Sequence, residues 1–204
     1  NVVAKPPAAE NILSAFANTE RLLQSAASLD RRGTAFAWLL HLAGDVHQPL
    51  HTIQLFTREY PEGDRGGNEI CVRTTRDSAP VNLHMLWDGL VTSTNDIGAL
   101  TAIATELRRK YPSSQFKEIA SGDPKTWAQE SYDIAKMNAY MNGSLRGTPK
   151  GHARDCSELI EAKILPTGYE AKAKEIAERR VVLAGYRLAS LLQRLCKQAS
   201  CGKG

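Results

Sequence analysis

Apolar residues recur along most of this chain at the three-and-four spacing of an α-helix, not at the alternation of a strand. After the Pro6-Pro7 break, "ENILSAFANTERLLQSAASL" carries Ile12, Leu13, Phe16, Leu22 and Leu23 at helical spacing. A second helix is predicted from near Thr34 through "AFAWLLHLAGDV". It should stop before Pro49, because proline lacks a backbone donor and restricts the residue before it. "VNLHMLWDGLV", "DIGALTAIATELRRKY" and "PKTWAQESYDIAKMNAYM" predict three more helices. The last and longest pattern, Tyr169 to Leu195, puts Ile176, Leu183, Leu188, Leu191, Leu192 and Leu195 on one broad apolar face.

Between these periodic stretches the punctuation changes. "TREYPEGDRGGN" reads as a loop, marked by Pro61, Gly63, Gly66 and Gly67, and "SLRGTPKGHARD" as another. "EICVRTT" alternates weakly and is the one plausible strand, an arm of a small hairpin. No internal repeat, low-complexity tract or linker interrupts the pattern. The fold expected is all-α: a single multi-helix domain over residues 1–204, with a small β-hairpin or loop excursion near 60–80.

Bulk properties alter this picture little. The 204 residues suffice for one substantial core, and 42% hydrophobic with 24% charged residues excludes wholesale disorder. A net charge of +4 permits a polyanionic partner without demanding one. No apolar run approaches the roughly 18 to 20 residues a membrane span needs. Four cysteines, Cys71, Cys156, Cys196 and Cys201, fit either a sparse disulfide set or free thiols, and their spacing matches no zinc-finger pattern. Asn1 is not an initiator methionine and "NVVAKPPAAE" has no signal-peptide core, so a processed or shortened chain is expected. "NGS" at Asn142 is a glycosylation sequon, usable only on a eukaryotic secretory route.

The chemistry is concentrated in "HLAGDVHQPLH", which holds three of the five histidines. His41 and Asp45 stand at i and i+4 on one predicted helix and so share a face. His51 follows the Pro49 break, where the chain can turn back beside that face. Downstream, "NLHMLWD" repeats the device with His84 and Asp88. One such pair alone is more often a surface ion pair. Two pairs plus His51, flanked by Leu39, Leu40, Leu42 and Leu83, offer the nitrogen and oxygen donors that zinc takes between helices. His47, two positions past Asp45, should point elsewhere, and His152 is isolated.

Taken in order, "HLAGDVHQPLH", "DRGGN" and "NLHMLWD" resemble the signature of the S1/P1 nuclease family, and "WAQESYDIA" and "VVLAGYRLASLL" extend the likeness along the chain. The resemblance implies the helical fold that these zinc-dependent phosphoesterases share with zinc phospholipase C. It implies three zinc ions in a cleft: His51, His84 and Asp88 match the protein ligands of one, and His41 and Asp45 match two ligands of a second, with Asp45 bridging to the third. The family's N-terminal tryptophan, and the histidines and aspartates that complete its other zinc sites, have no counterpart, since His41 is the first histidine here. The expectation is therefore a chain lacking the N-terminal part of the family domain, with one zinc fully liganded from its own residues.

The function implied by the resemblance is that of an endonuclease acting on single-stranded DNA and RNA to leave 5′-phosphates, with 3′-nucleotidase activity, through metal activation of water for in-line attack on phosphorus. The alternatives are a zinc phospholipase C, or a non-catalytic truncated homologue with one structural zinc. Asn68 and Arg65 in "DRGGN" are the candidates for substrate binding; a glycine turn capped by Asn68, and a solvated loop charge, are the plainer readings of each. No catalytic residue beyond the metal ligands is expected. Trp38 and Trp87 are expected to pack the core. Nucleic acids and nucleotides are the expected partners, as substrates, with no stable protein partner and no membrane span. The expected location is secreted or periplasmic.

Overall fold

The computed structural model describes residues 9–145 and 147–201; the Pro6-Pro7 break lies outside them. The chain is mainly helical. α1 (Ile12–Gln24) starts where Asn11 caps it: the Asn11 side chain accepts from the backbone of Leu13 and Ser14, while Ser14 Oγ accepts from Asn11 N–H. α2 (Leu29–Asp45) begins five residues before the predicted Thr34. Ser28 accepts from Arg31 N–H there, and a cap outweighs the propensity cost of one glycine, Gly33, in the second turn.

α3 (Leu83–Gly89) is shorter than its pattern. Val81 and Asn82 are drawn off into a strand, and Asn82 then caps the helix by accepting from Met85 N–H. α4 (Ile97–Lys110) is capped by Asp96 and α5 (Pro124–Ile134) by Asp123 with proline in its first turn. α5 runs on into a π-helical turn, Ala135–Ala139. α6 (Tyr169–Cys201) is longer than its apolar pattern and contributes to all three packed clusters of the core.

The expected hairpin is part of a larger sheet. β1 (Ile70–Arg73) pairs antiparallel with β2 (Val81–Asn82) and with β3 (Thr148–Pro149), and parallel with β4 (Lys163–Ile164). β3 falls inside the stretch read as loop. Two-residue strands have no periodicity to detect; only the arrival of β1 defines them. A Cys71–Cys156 disulfide ties β1 to a distant turn, closing 85 positions of sequence.

Packing corrects two expectations. Trp87 is buried at 2% exposure, its Nε1 donating to Tyr169 OH at 3.0 Å, but Trp38 is 54% exposed and lies T-shaped to the His41 ring, their centroids 5.6 Å apart. Leu40 is likewise exposed. Both lie on the outward side of α2, whose inward side, Ala35, Leu39, Leu42 and Ala43, packs against α1, α5 and α6. Among the described residues, no helix is long and apolar enough to cross a membrane.

Candidate metal centre

Five of the predicted residues arrive from three segments. α2 delivers His41 and Asp45 in its last two turns. The chain then tightens: Val46 N–H bonds back four residues to Leu42, but His47 and Gln48 bond back only three, to Gly44 and Asp45. That tightening turns the backbone, and a 3₁₀ turn (Pro49–Thr52) follows, with proline in its first turn, where its missing donor costs nothing. His51 rides on this turn. α3 supplies His84 and Asp88 one turn apart.

The side chains converge. His51 Nε2 lies 3.5 Å from Asp88 Oδ1, and His84 Nε2 lies 3.7 Å from Asp88 Oδ2. The His51 and His84 rings stack at 4.8 Å with 10° between their planes. His51 Nδ1 is 3.4 Å from Asp45 Oδ2, which is 3.1 Å from His41 Nε2. His51, His84 and Asp88 each offer a ligand atom within 4.8 Å of the others, the only such group of three among the described residues. His41 stands at the open end, its side chain 59% exposed.

This donor set fits a metal ion on two counts. His51 Nε2 is buried without a hydrogen bond, which is costly for a nitrogen unless something else takes its lone pair. The three ligand atoms, one per residue, all lie within 4.8 Å of one another, so modest side-chain shifts bring them to the ligand–ligand edge of about 3.3 Å in a tetrahedral zinc site with bonds of about 2.0–2.1 Å. His84 is prepared for the same task. Its Nδ1 lies 2.8 Å from Gly66 O, and a carbonyl only accepts, so Nδ1 donates there and Nε2 is the nitrogen turned toward Asp88.

The electrostatics favour a cation here. Burial alone would lower the His51 pKa, yet the carboxylates of Asp45 and Asp88 outweigh it and push it up to about 9. Burial would raise the Asp88 pKa, but the neighbouring His51 imidazole, the Gln48 amide and the charge of His84 hold it below the usual carboxylate range. Glu10, Asn11 and Asn18 on and before α1 form the far wall of a cleft of about 570 Å³ whose floor includes Asp45, His51 and His84.

Beneath the centre, Asp64 organises the glycine loop. Its buried carboxylate accepts from Leu55 N–H (2.7 Å), Gly66 N–H (3.1 Å), Gly67 N–H (2.9 Å) and Tyr140 OH (2.6 Å). These donors oppose the upward push that burial exerts on its pKa. Gly66 has φ +63, and a Cβ there would run into the Leu50 carbonyl oxygen. Asp64 was not among the predicted site residues; its position opening "DRGGN", ahead of two glycines, is the sequence signal for a carboxylate that caps a turn.

Asn68 and Arg65 do not join the ligands. Asn68 Nδ2 donates to Arg65 O at 2.8 Å, and Arg65 Nη1 sits 3.7 Å from Glu69 Oε1, both within the loop. The Arg65 guanidinium is exposed. The His47 ring is buried against Trp127, its Nδ1 bonded to Ala43 O at 2.8 Å and its Nε2 to Arg187 at 3.0 Å. Burial and the charge of Arg180 push its pKa down to about 3, so it is neutral.

That histidine belongs to a polar cluster the sequence pattern did not reveal. Arg187, 0% exposed, makes a two-pronged pair with Glu130 at 2.7 Å on each oxygen, and Arg180 adds a third bond at 2.9 Å. Arg180 Nε also donates to His47 O, and Ser131 Oγ to Val46 O. The backbone between Asp45 and His51 is therefore clamped from α5 and α6.

The sequence model described as S1/P1 Nuclease matches residues 2–197. Endonuclease 5 of Arabidopsis thaliana is 30% identical over 174 residues, 79% of this chain and 50% of the relative. Endonuclease 4 of the same plant is 32% identical over 176 residues, again 79% and 50%. Nuclease S1 of Aspergillus oryzae is 25% identical over 195 residues, 92% of this chain and 63% of the relative. The chain thus spans about half the length of the plant relatives it matches.

Proposed function

Because the chain belongs to the S1/P1 nuclease family, we propose that it serves zinc-dependent hydrolysis of phosphodiester bonds in single-stranded DNA and RNA, leaving 5′-phosphate products, with 3′-nucleotidase activity. The observation that carries this reading is the His51, His84 and Asp88 group, with its unbonded buried nitrogen, in a chain matched to nucleases. His51, His84 and Asp88 would hold one zinc, and His41 and Asp45 would supply ligands for further zinc beside it. Zinc supplies a Lewis acid that lowers the pKa of water and neutralises charge developing on phosphate oxygens.

The chain's own residues hold and aim this chemistry. Gly66 O orients the His84 imidazole, and the Asp64 carboxylate fixes the loop that brings Gly66 there. Asn68, by holding the Arg65 carbonyl, shapes the turn from which the exposed Arg65 guanidinium reaches a substrate phosphate. The disulfide suits a secreted or periplasmic location.

Zinc content and turnover test this together. The proposal expects zinc bound at the three-residue group and cleavage of single-stranded DNA but not phosphatidylcholine. Turnover of the phospholipid instead would shift the assignment to a phospholipase C. One observation favours a second reading: among the described residues, a single group offers three ligands. One zinc per chain and no turnover of either substrate would identify a non-catalytic homologue with a structural zinc.

A further inference from the structure

Gln48 was not among the predicted ligands, yet both ends of its side chain are committed. Its Nε2 donates to Asp88 Oδ1 at 2.8 Å, across 40 positions of sequence, and its Oε1 accepts from Leu50 N–H at 2.5 Å. The amide has only one workable orientation. A carboxylate accepts and a backbone N–H donates, so exchanging the amide oxygen and nitrogen would set like against like at both ends. One contact reaches α3, which carries His84 and Asp88; the other belongs to the 3₁₀ turn that carries His51. A single neutral side chain therefore joins the two segments that meet at the three-ligand group.

We propose that Gln48 is a positioning residue for the metal at His51, His84 and Asp88, holding the Asp88 carboxylate so that its two oxygens face the two imidazole nitrogens. This rests on the metal reading of that group. The physical need is plain: the Asp88 side chain is half exposed and stands one residue from the end of a two-turn helix. An unrestrained carboxylate there would sample rotamers that turn it to solvent, and that freedom would be lost on binding an ion. Gln48 removes it beforehand, without adding a charge that would compete for the cation. With Oδ1 held, Oδ1 lies 3.5 Å from His51 Nε2 and Oδ2 3.7 Å from His84 Nε2.

The test separates this role from simple capping of the turn. Gln48→Asn keeps an acceptor suited to the Leu50 N–H, since asparagine caps well, but is one methylene too short to reach Asp88 as well. Cobalt(II), a zinc surrogate with a visible ligand-field band, is titrated into the metal-free chain, with a zinc chelator competition as a second reading. Gln48→Asn is expected to bind about 10–100-fold more weakly and to alter the cobalt band, while metal-free melting moves by no more than about 4 °C. In an Asp88→Ala background, where the carboxylate is gone, the same substitution should change the residual affinity no further. Undiminished affinity with an unchanged band in Gln48→Asn overturns the proposal and leaves the metal reading intact. So does an equal loss in both backgrounds. A wild-type chain that binds neither cobalt nor zinc overturns both.

Discussion

Replacing Gly66 with alanine probes the support beneath the centre, and the molecule supplies its own control. Gly66 sits at φ +63, where an L side chain costs about 1–2 kcal/mol. The new methyl would also press on the Leu50 carbonyl oxygen, a backbone atom that cannot rotate away, and overpacking of this kind costs about 1–3 kcal/mol. The lower entropy of the unfolded alanine chain returns about 0.4–1 kcal/mol. The balance is a loss of about 3 kcal/mol, or a fall in Tm of about 6–12 °C for a chain of this size. Gly33, by contrast, lies inside α2 with nothing near a would-be Cβ and no positive φ, so Gly33→Ala should raise Tm by about 2–4 °C. Parallel thermal melts by circular dichroism measure both. Because the Gly66 carbonyl also holds His84 Nδ1, added zinc should raise the Tm of Gly66→Ala less than that of wild type. Equal zinc-induced shifts in Gly66→Ala and wild type, or a Gly66→Ala melt indistinguishable from wild type, would refute the reasoning.

Three further outcomes are expected. Burial would raise the Glu130 pKa, but Arg187 and Arg180 hold it below the ordinary value, so its contribution to stability is complete above the unfolded carboxyl pKa and disappears as pH falls through the lower folded one; urea midpoints measured across the acid range should drop there, and Glu130→Ala, which strands a fully buried Arg187, should cost about 3–5 kcal/mol at neutral pH. Replacing Cys71 and Cys156 together with alanine frees a closure of 85 positions and should cost about 2–5 kcal/mol, read from chemical denaturation. Zinc at 100 times its Kd should stabilise the chain by about 2.7 kcal/mol, an increment that a chelator reverses and that His84→Ala abolishes.

Much of the helical framework was legible because its signals are local. Asn11, Asp96 and Asp123 cap the helices they precede, and the α6 stripe is a plain 3.6-residue repeat. The same locality explains the misplacements. Nothing near Trp38 or Leu40 states which side of α2 has neighbours, so these exposed side chains carry the same local signal as the buried Leu39 and Leu42. Val81 and Asn82 leave the helical pattern because β1 pairs with them, and β3 and β4 are strands only by virtue of that partner.

At the centre the division is similar. Spacing places His41 with Asp45, and His84 with Asp88, one helical turn apart; that much is a property of the α-helix itself. Which imidazole nitrogen faces which carboxylate depended on contacts between distant segments: Gly66 O on His84, Gln48 on Asp88, and the Arg180 and Ser131 bonds that hold the turn between Asp45 and His51. The Arg187–Glu130–His47 cluster was invisible for the same reason, since 57 positions separate the arginine from its glutamate. The order of residues along this chain determined the kinds of donors and their spacing within each element, because backbone geometry repeats over a few residues. Only the tertiary structure decided their mutual distance, protonation and burial, because those depend on side chains that the sequence keeps far apart.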